Sequence, residues 1–139
     1  MSENYSTFDI SGDLGLRVQA GDLKSVMEYA AQGLTDAVTD LSSVKRVTSM
    51  RVRLKAADTE ELVVAWLNEL IFLLDAHGFI AAEAVVNNIT ESSLDAVLHG
   101  ETFDPERHER RVLVKAATFH GFSMKSTGDR IVVEIVLDL

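Results

Sequence analysis

The chain contains no cysteine, no apolar run long enough to cross a bilayer, and fewer cations than anions, and each shortage removes a class of function. Without cysteine there are no disulfides, no thiolate zinc sites and no thiol nucleophiles, so any metal site must use oxygen or imidazole ligands. A membrane-spanning helix needs about 20 consecutive apolar residues, and none of the apolar stretches approaches that length. The start, Met1-Ser-Glu-Asn-Tyr5, has neither the basic flank nor the apolar core of a signal peptide, so the chain is expected to be soluble and cytoplasmic, with no membrane partner. Thirteen Lys and Arg stand against twenty-two Asp and Glu, a net charge of −9, which opposes unaided binding to a phosphate backbone. Nucleic acid is therefore expected to be met only indirectly, through a protein partner. An acidic surface suits docking to a basic protein, although solubility alone also accounts for it. No Walker-type glycine-rich loop, no G-x-S-x-G element and no carboxylate pair in a glycosidase context is present.

What remains has the make-up of an ordinary globular domain. At 139 residues the chain is expected to form a single domain over positions 1–139, large enough to bury roughly two thirds of its unfolded surface. Its 47% apolar and 25% charged fractions are typical, and no low-complexity segment suggests a disordered tail.

Hydrophobic spacing divides the chain into strands and two helices. Leu16, Val18 and Ala20 alternate in a strand over 14–20, and Gly21-Asp22 makes the turn into a helix. From Asp22 as N-cap, Leu23, Val26, Met27, Ala30, Leu34, Ala37, Val38 and Leu41 recur at steps of three and four. Over 44–56 the period changes to two, with Met50, Val52 and Leu54 on one face and Arg51, Arg53 and Lys55 on the other, which predicts a half-exposed strand. Asp58-Thr59-Glu60-Glu61 has capping-box spacing ahead of a second helix that ends near His77-Gly78. Strands are predicted at 79–89, 94–102, 112–124 and 130–139, with a break at Phe103-Asp104-Pro105 and a turn at Ser126–Asp129. The last strand is almost continuously apolar, as a strand covered on both faces should be. The fold class is α+β: two helices packed on mostly antiparallel sheet.

Three places carry residues with chemical potential. Asp9-Ile10-Ser11-Gly12-Asp13-Leu14-Gly15 sets two acids beside two glycines in what is expected to be a loop. Such a loop can aim a carboxylate at a metal, but spacing alone favours a plain turn, because Asp and Gly are the residues turns need. At the other end, Asp138 follows an apolar strand, and with the oxygens of Leu139 it offers hard donors of the kind calcium or magnesium takes, provided another acid joins them. In Lys115-Ala116-Ala117-Thr118-Phe119-His120, strand alternation puts Lys115 and His120 on opposite faces, so a bulge is required to unite them. His77, His99 and His108 have no recognisable ligand spacing.

Taken in order, these landmarks resemble the archease family. Asp9 to Gly15 is similar to that family's D-H-T-A-D-x-G, with its central acid at Asp13, and Trp66-Leu67-Asn68-Glu69-Leu70 matches W-L-N-E-L. Gly100-Glu101 and Asp104-Pro105 follow, then Val114 to His120 as V-K-A-x-T-[YF]-H, and the acid-plus-aliphatic ending Asp138-Leu139. Ile10 departs from the pattern, standing where the family usually has histidine, with Ser11 and Gly12 as milder replacements.

The resemblance implies a fold in which one strand-helix-strand-strand module is inserted in another. It implies a cofactor protein, not an enzyme, whose partner is the GTP-dependent RNA ligase of tRNA splicing and RNA repair; archeases promote that ligase's guanylylation and multiple turnover. Carried over by position, Asp13, Asp138 and Leu139 are the implied ligands of a divalent ion, calcium foremost and magnesium or manganese as alternatives, with Lys115 and His120 as further candidate functional residues. Two other functions are compatible with the residues: a metal-dependent phosphoesterase using the same acids, and a general chaperone-like binding module.

Overall fold

A computed structural model describes residues 4–139; Met1 to Glu3, part of the start examined above for a signal segment, lie outside the described residues. Strands β1 (Tyr5–Ile10) and β2 (Asp13–Ala20) lead into helix α1 (Leu23–Val38), followed by a single 3-10 turn at Leu41–Ser43. Strand β3 (Thr48–Lys55), helix α2 (Thr59–His77) and strands β4 (Phe79–Ile89) and β5 (Ser93–Thr102) come next, and β6 (Ala116–Thr127) and β7 (Arg130–Asp138) close the chain.

Both helices begin where the sequence places their caps. Asp22 accepts a hydrogen bond from the Ser25 N–H at 2.8 Å, and Asp58 accepts one from the Glu61 N–H at 2.8 Å, satisfying donors that a helix start leaves without partners. The return bond of the expected capping box is displaced by one residue, because Glu61 accepts from Ala57 at 3.4 Å and not from Asp58. At the far end of α2, Gly78 adopts φ +66, and its N–H reaches back to Leu74 at 2.9 Å. Helix α1 stops at Val38, short of Leu41: Asp36 accepts from the Leu41 N–H at 3.2 Å and Asp40 from the Ser42 N–H at 3.0 Å, turning the chain into the 3-10 segment.

The strands divide into two antiparallel sheets, one of order β1-β2-β7-β6 and one of order β3-β5-β4. The nesting that the resemblance implies is visible in this order. In the outer module β7, the last strand, lies between β2 and β6; in the inserted module β5, again the last, lies between β3 and β4. Each unit is therefore a strand, a helix and a hairpin whose final strand takes the centre. Leu16, Met27, Leu62, Trp66, Leu98 and Leu137 are fully buried between the sheets and helices, each contributing about 2 kcal/mol from the apolar surface it removes from water.

Each helix also covers a free sheet edge. From α1, Glu28 accepts the Val86 N–H at 2.9 Å and Thr35 donates to the Ala81 carbonyl at 2.8 Å, so the outer edge of β4 is occupied. From α2, the Asn68 amide donates to the Ala117 carbonyl at 3.0 Å and accepts the Ala117 N–H at 2.8 Å, doing the same for β6. Two of the W-L-N-E-L residues thus have structural duties, since Trp66 donates its indole N–H to the Met27 carbonyl at 2.9 Å while Asn68 secures β6.

Candidate functional site

The segment expected as a loop, Asp9 to Gly15, is the tip of a β-hairpin. Ile10 pairs with Asp13 across a two-residue turn in which Ser11 (φ +48) and Gly12 (φ +86) are both left-handed, the type I′ geometry whose twist matches that of the flanking strands. Strand β1 itself was not foreseen from the sequence. Its signal was the Ser11-Gly12 pair between two runs that pair residue by residue.

The β2–β7 register then brings the two ends of the chain together. Leu14 faces Leu137, so one further step along both strands sets Asp13 beside Asp138. The Leu139 N–H donates to the Asp13 carboxylate at 3.2 Å, and the Lys115 N–H donates to the Asp138 carbonyl at 2.7 Å. Asp13, Lys115, Asp138 and Leu139 therefore meet at one end of the four-stranded sheet. Asp138 is exposed and Asp13 half-buried, and neither makes an ion pair among the described residues. The terminal strand runs through the interior of its sheet as expected, while its last acid reaches the surface.

His120 sits on a bulge of β6. Between Thr118 and Ser123 the β6–β7 pairing is interrupted, so that β6 uses five steps where β7, from Val136 to Glu134, uses two. At the crest Gly121 has φ +73, and a Cβ there would lie 3.2 Å from the Val136 side chain, so the bulge folds over Val136. Val136 shares a sheet face with Asp138 by strand alternation, and Thr118, which pairs with Val136, stands on that same face next to the bulge. The His120 N–H donates to Thr118 Oγ1 at 3.2 Å, and no hydrogen bond joins its ring to either carboxylate among the described residues. On the other side the Phe8 ring covers Gly15, where a Cβ would come within 2.2 Å of it. The site is an acidic corner flanked by an aromatic and a bulged loop.

Its chemistry is that of hard oxygen donors. Two carboxylates and the main-chain oxygen of Leu139 suit a calcium-, magnesium- or manganese-type ion, since no soft ligand is present. No group of three or more His, Asp or Glu side chains is placed to hold a metal ion among the described residues. Calcium takes six to eight oxygens, so the donor set fits an open site completed by water or by a partner's ligands, and does not form a closed cage.

Spacing alone missed a second cluster altogether. Glu101, only 7% exposed, accepts from the Lys45 N–H at 2.7 Å and pairs with the Arg107 guanidinium and His108 Nε2. His108 Nδ1 accepts the Asp104 N–H at 2.8 Å, which leaves Nε2 to carry the hydrogen given to Glu101. The Arg107 hydrogen bond first, with those from Lys45 and His108, holds the Glu101 carboxyl at about 2, against a desolvation that opposes it. The cluster pins the irregular 103–115 segment to β5, so strand β6 starts only at Ala116 and not at 112 as expected. It is a structural clasp.

Comparison with known proteins adds identity to this geometry. The model of the Archease protein family matches residues 5–139. A protein archease of Sulfurisphaera tokodaii is 30% identical over 139 residues, covering 99% of each chain, and one of Methanopyrus kandleri is 30% identical over 138 residues, covering 97% of this chain and 99% of its own. The solution structure of a Methanobacterium thermoautotrophicum protein superposes with a TM-score of 0.81 at 29% identity, covering 99% of this chain and all of its own. A Thermotoga maritima archease, described as a possible chaperone, shares the fold with a TM-score of 0.65 at 16% identity, covering 100% of this chain and 97% of its own.

Proposed function

Because the chain belongs to the archease protein family, whose members are protein cofactors and not enzymes, we propose that it activates a GTP-dependent RNA ligase, promoting the ligase's guanylylation and repeated turnover in tRNA splicing and RNA repair. The observation that carries this reading is the meeting of Asp13 with Asp138 and Leu139, residues from opposite ends of the chain held at one exposed corner. A divalent ion bound there would supply positive charge to a phosphate or to the ligase's nucleotide site. The protein's own part is to hold it: Asp13 and Asp138 lend carboxylate oxygens and Leu139 a main-chain oxygen, while the β1–β2 hairpin and the β2–β7 ladder fix their spacing. Lys115, whose N–H bonds to the Asp138 carbonyl, and His120 are further candidate contacts for the partner. Activity is expected in the cytoplasm; among the described residues no helix is long and apolar enough to cross a membrane.

The test mixes the protein with its cognate ligase, GTP and a divalent metal, and follows ligase guanylylation and multiple-turnover joining. Acceleration is expected with the unaltered protein, together with its loss in Asp138→Ala. Calorimetry should in parallel show calcium binding weakened in Asp13→Ala. Full acceleration and unchanged metal binding in both variants would refute the reading, and ligase-free hydrolysis of a phosphate ester would point to an enzyme instead.

A further inference from the structure

We propose that the open edge of β3 is a docking edge that takes an extended acidic segment of a partner protein as an added strand. Four strands stand at sheet edges, β1 and β6 in one sheet and β3 and β4 in the other. Side chains of α1 occupy main-chain groups of Val86 and Ala81 on β4, and Asn68 of α2 occupies those of Ala117 on β6. No side chain does this for β3 among the described residues.

The ladder decides which groups β3 presents. Ala56 donates its N–H to the Ser92 carbonyl at 2.8 Å, so antiparallel alternation turns the main-chain groups of Leu54, Val52 and Met50 toward β5. Those of Ser49, Arg51, Arg53 and Lys55 consequently face outward. Three of these four residues are cations whose side chains share the exposed face of the strand, spaced two apart. Asp95 on β5 meets Arg51 at 2.8 Å and Arg53 at 3.8 Å, whereas Lys55 has no ion-pair partner among the described residues. A concentration of positive charge along a single edge is notable in a chain of net charge −9.

Edge cations ordinarily guard against unwanted pairing. Here they guard selectively. A second copy of β3 would place Arg and Lys opposite Arg and Lys, a destabilising arrangement, so the edge rejects its own kind. An incoming strand with acids at alternate positions would meet Arg51, Arg53 and Lys55 directly while using the outward N–H and C=O groups. Its intervening residues would fall beside half-buried Met50 and Leu54, which favours an alternation of acidic and apolar residues. A hollow of about 400 Å³ bounded in part by Arg53, Lys55, Asn88 and Ser93 gives room for a longer acidic side chain at one end. The remaining surface, more acidic than the chain average, repels such a segment and steers it to this edge.

The test titrates the protein with a short blocked peptide alternating glutamate with valine and threonine, and follows amide hydrogen exchange and affinity. Exchange is expected to slow at Ser49, Arg51, Arg53 and Lys55. Affinity should fall roughly tenfold in the double variant Arg53→Ser with Lys55→Ser, from the loss of two cross-strand charge pairs. Ser49→Pro should weaken binding as well, since it removes an outward N–H while leaving the charges and the β3–β5 ladder in place. Failure of the peptide to bind, or protection confined to another element, would overturn the proposal. Oligouridylate binding the same cations without protecting these amides would replace it with phosphate recognition, and concentration-dependent dimerisation through β3 would replace it with self-association.

Discussion

Replacing Glu101 with glutamine should cost the folded protein about 2 kcal/mol at neutral pH and remove most of its acid sensitivity in one pH window. The folded-state carboxyl titrates at about 2, against 4.5 for an ordinary glutamate. A gap of about 2.5 units at about 1.4 kcal/mol per unit sets an upper figure near 3.4 kcal/mol. Solvent screening lowers it, because the Arg107 side chain is 37% exposed, and about 2 kcal/mol remains. The sign follows from the direction of the shift: a depressed carboxyl lends its stability above the unfolded value and loses it as pH falls from about 4.5 toward 2. Urea unfolding is the assay, followed by fluorescence of the single tryptophan, Trp66, which is completely buried and so reports loss of the core. Glu101→Gln should be less stable than the parent at pH 7, and the difference should shrink steadily below pH 4.5. A difference under about 0.5 kcal/mol at pH 7, or one that persists unchanged at pH 2, would refute the assignment of Glu101 as an ionised clasp.

Gly100→Ala should destabilise by about 3 kcal/mol or more, because a Cβ there would stand 1.9 Å from the Ile80 carbonyl oxygen, a main-chain atom that cannot swing aside; a melting temperature within a few degrees of the parent would contradict the close approach. Asn68→Leu should cost about 2 kcal/mol by stranding both main-chain groups of Ala117, with faster amide exchange at Ala117 as the local signature.

The helices and most strands were legible because their side chains sort by period and their ends carry chemistry visible in one dimension. Asp22 and Asp58 cap where the spacing places them, Gly78 ends α2, and β4 spans the predicted 79–89. Strand β1 was not legible because its apolar residues do not face a core in alternation. Phe8 instead lies across Gly15 on the solvent side, and most of the strand is exposed, which removes the contrast on which a period-two reading depends. The division into two sheets was equally hidden, since pairing β2 with β7 is a contact between positions more than a hundred residues apart.

The same distance explains what was readable of the site. Asp13 and Asp138 were each ambiguous as isolated acids, and only their order within a family-like set of motifs joined them before the strands did. His120 and Lys115 fall on opposite faces by alternation, and the bulge from Phe119 to Phe122 interrupts that alternation at His120, where strand periodicity stops being a guide. Two other motifs that carried the resemblance serve the scaffold: Gly100 admits the Ile80 carbonyl, Glu101 clasps the 103–115 segment, and Asn68 covers β6. Net charge averages over such detail, for −9 describes the whole chain whereas β3 gathers cations on one edge. A surface so divided has two ways to meet partners, an acidic corner suited to a cation and a basic edge suited to an acidic strand, and separate substitutions at Asp138 and Lys55 distinguish them.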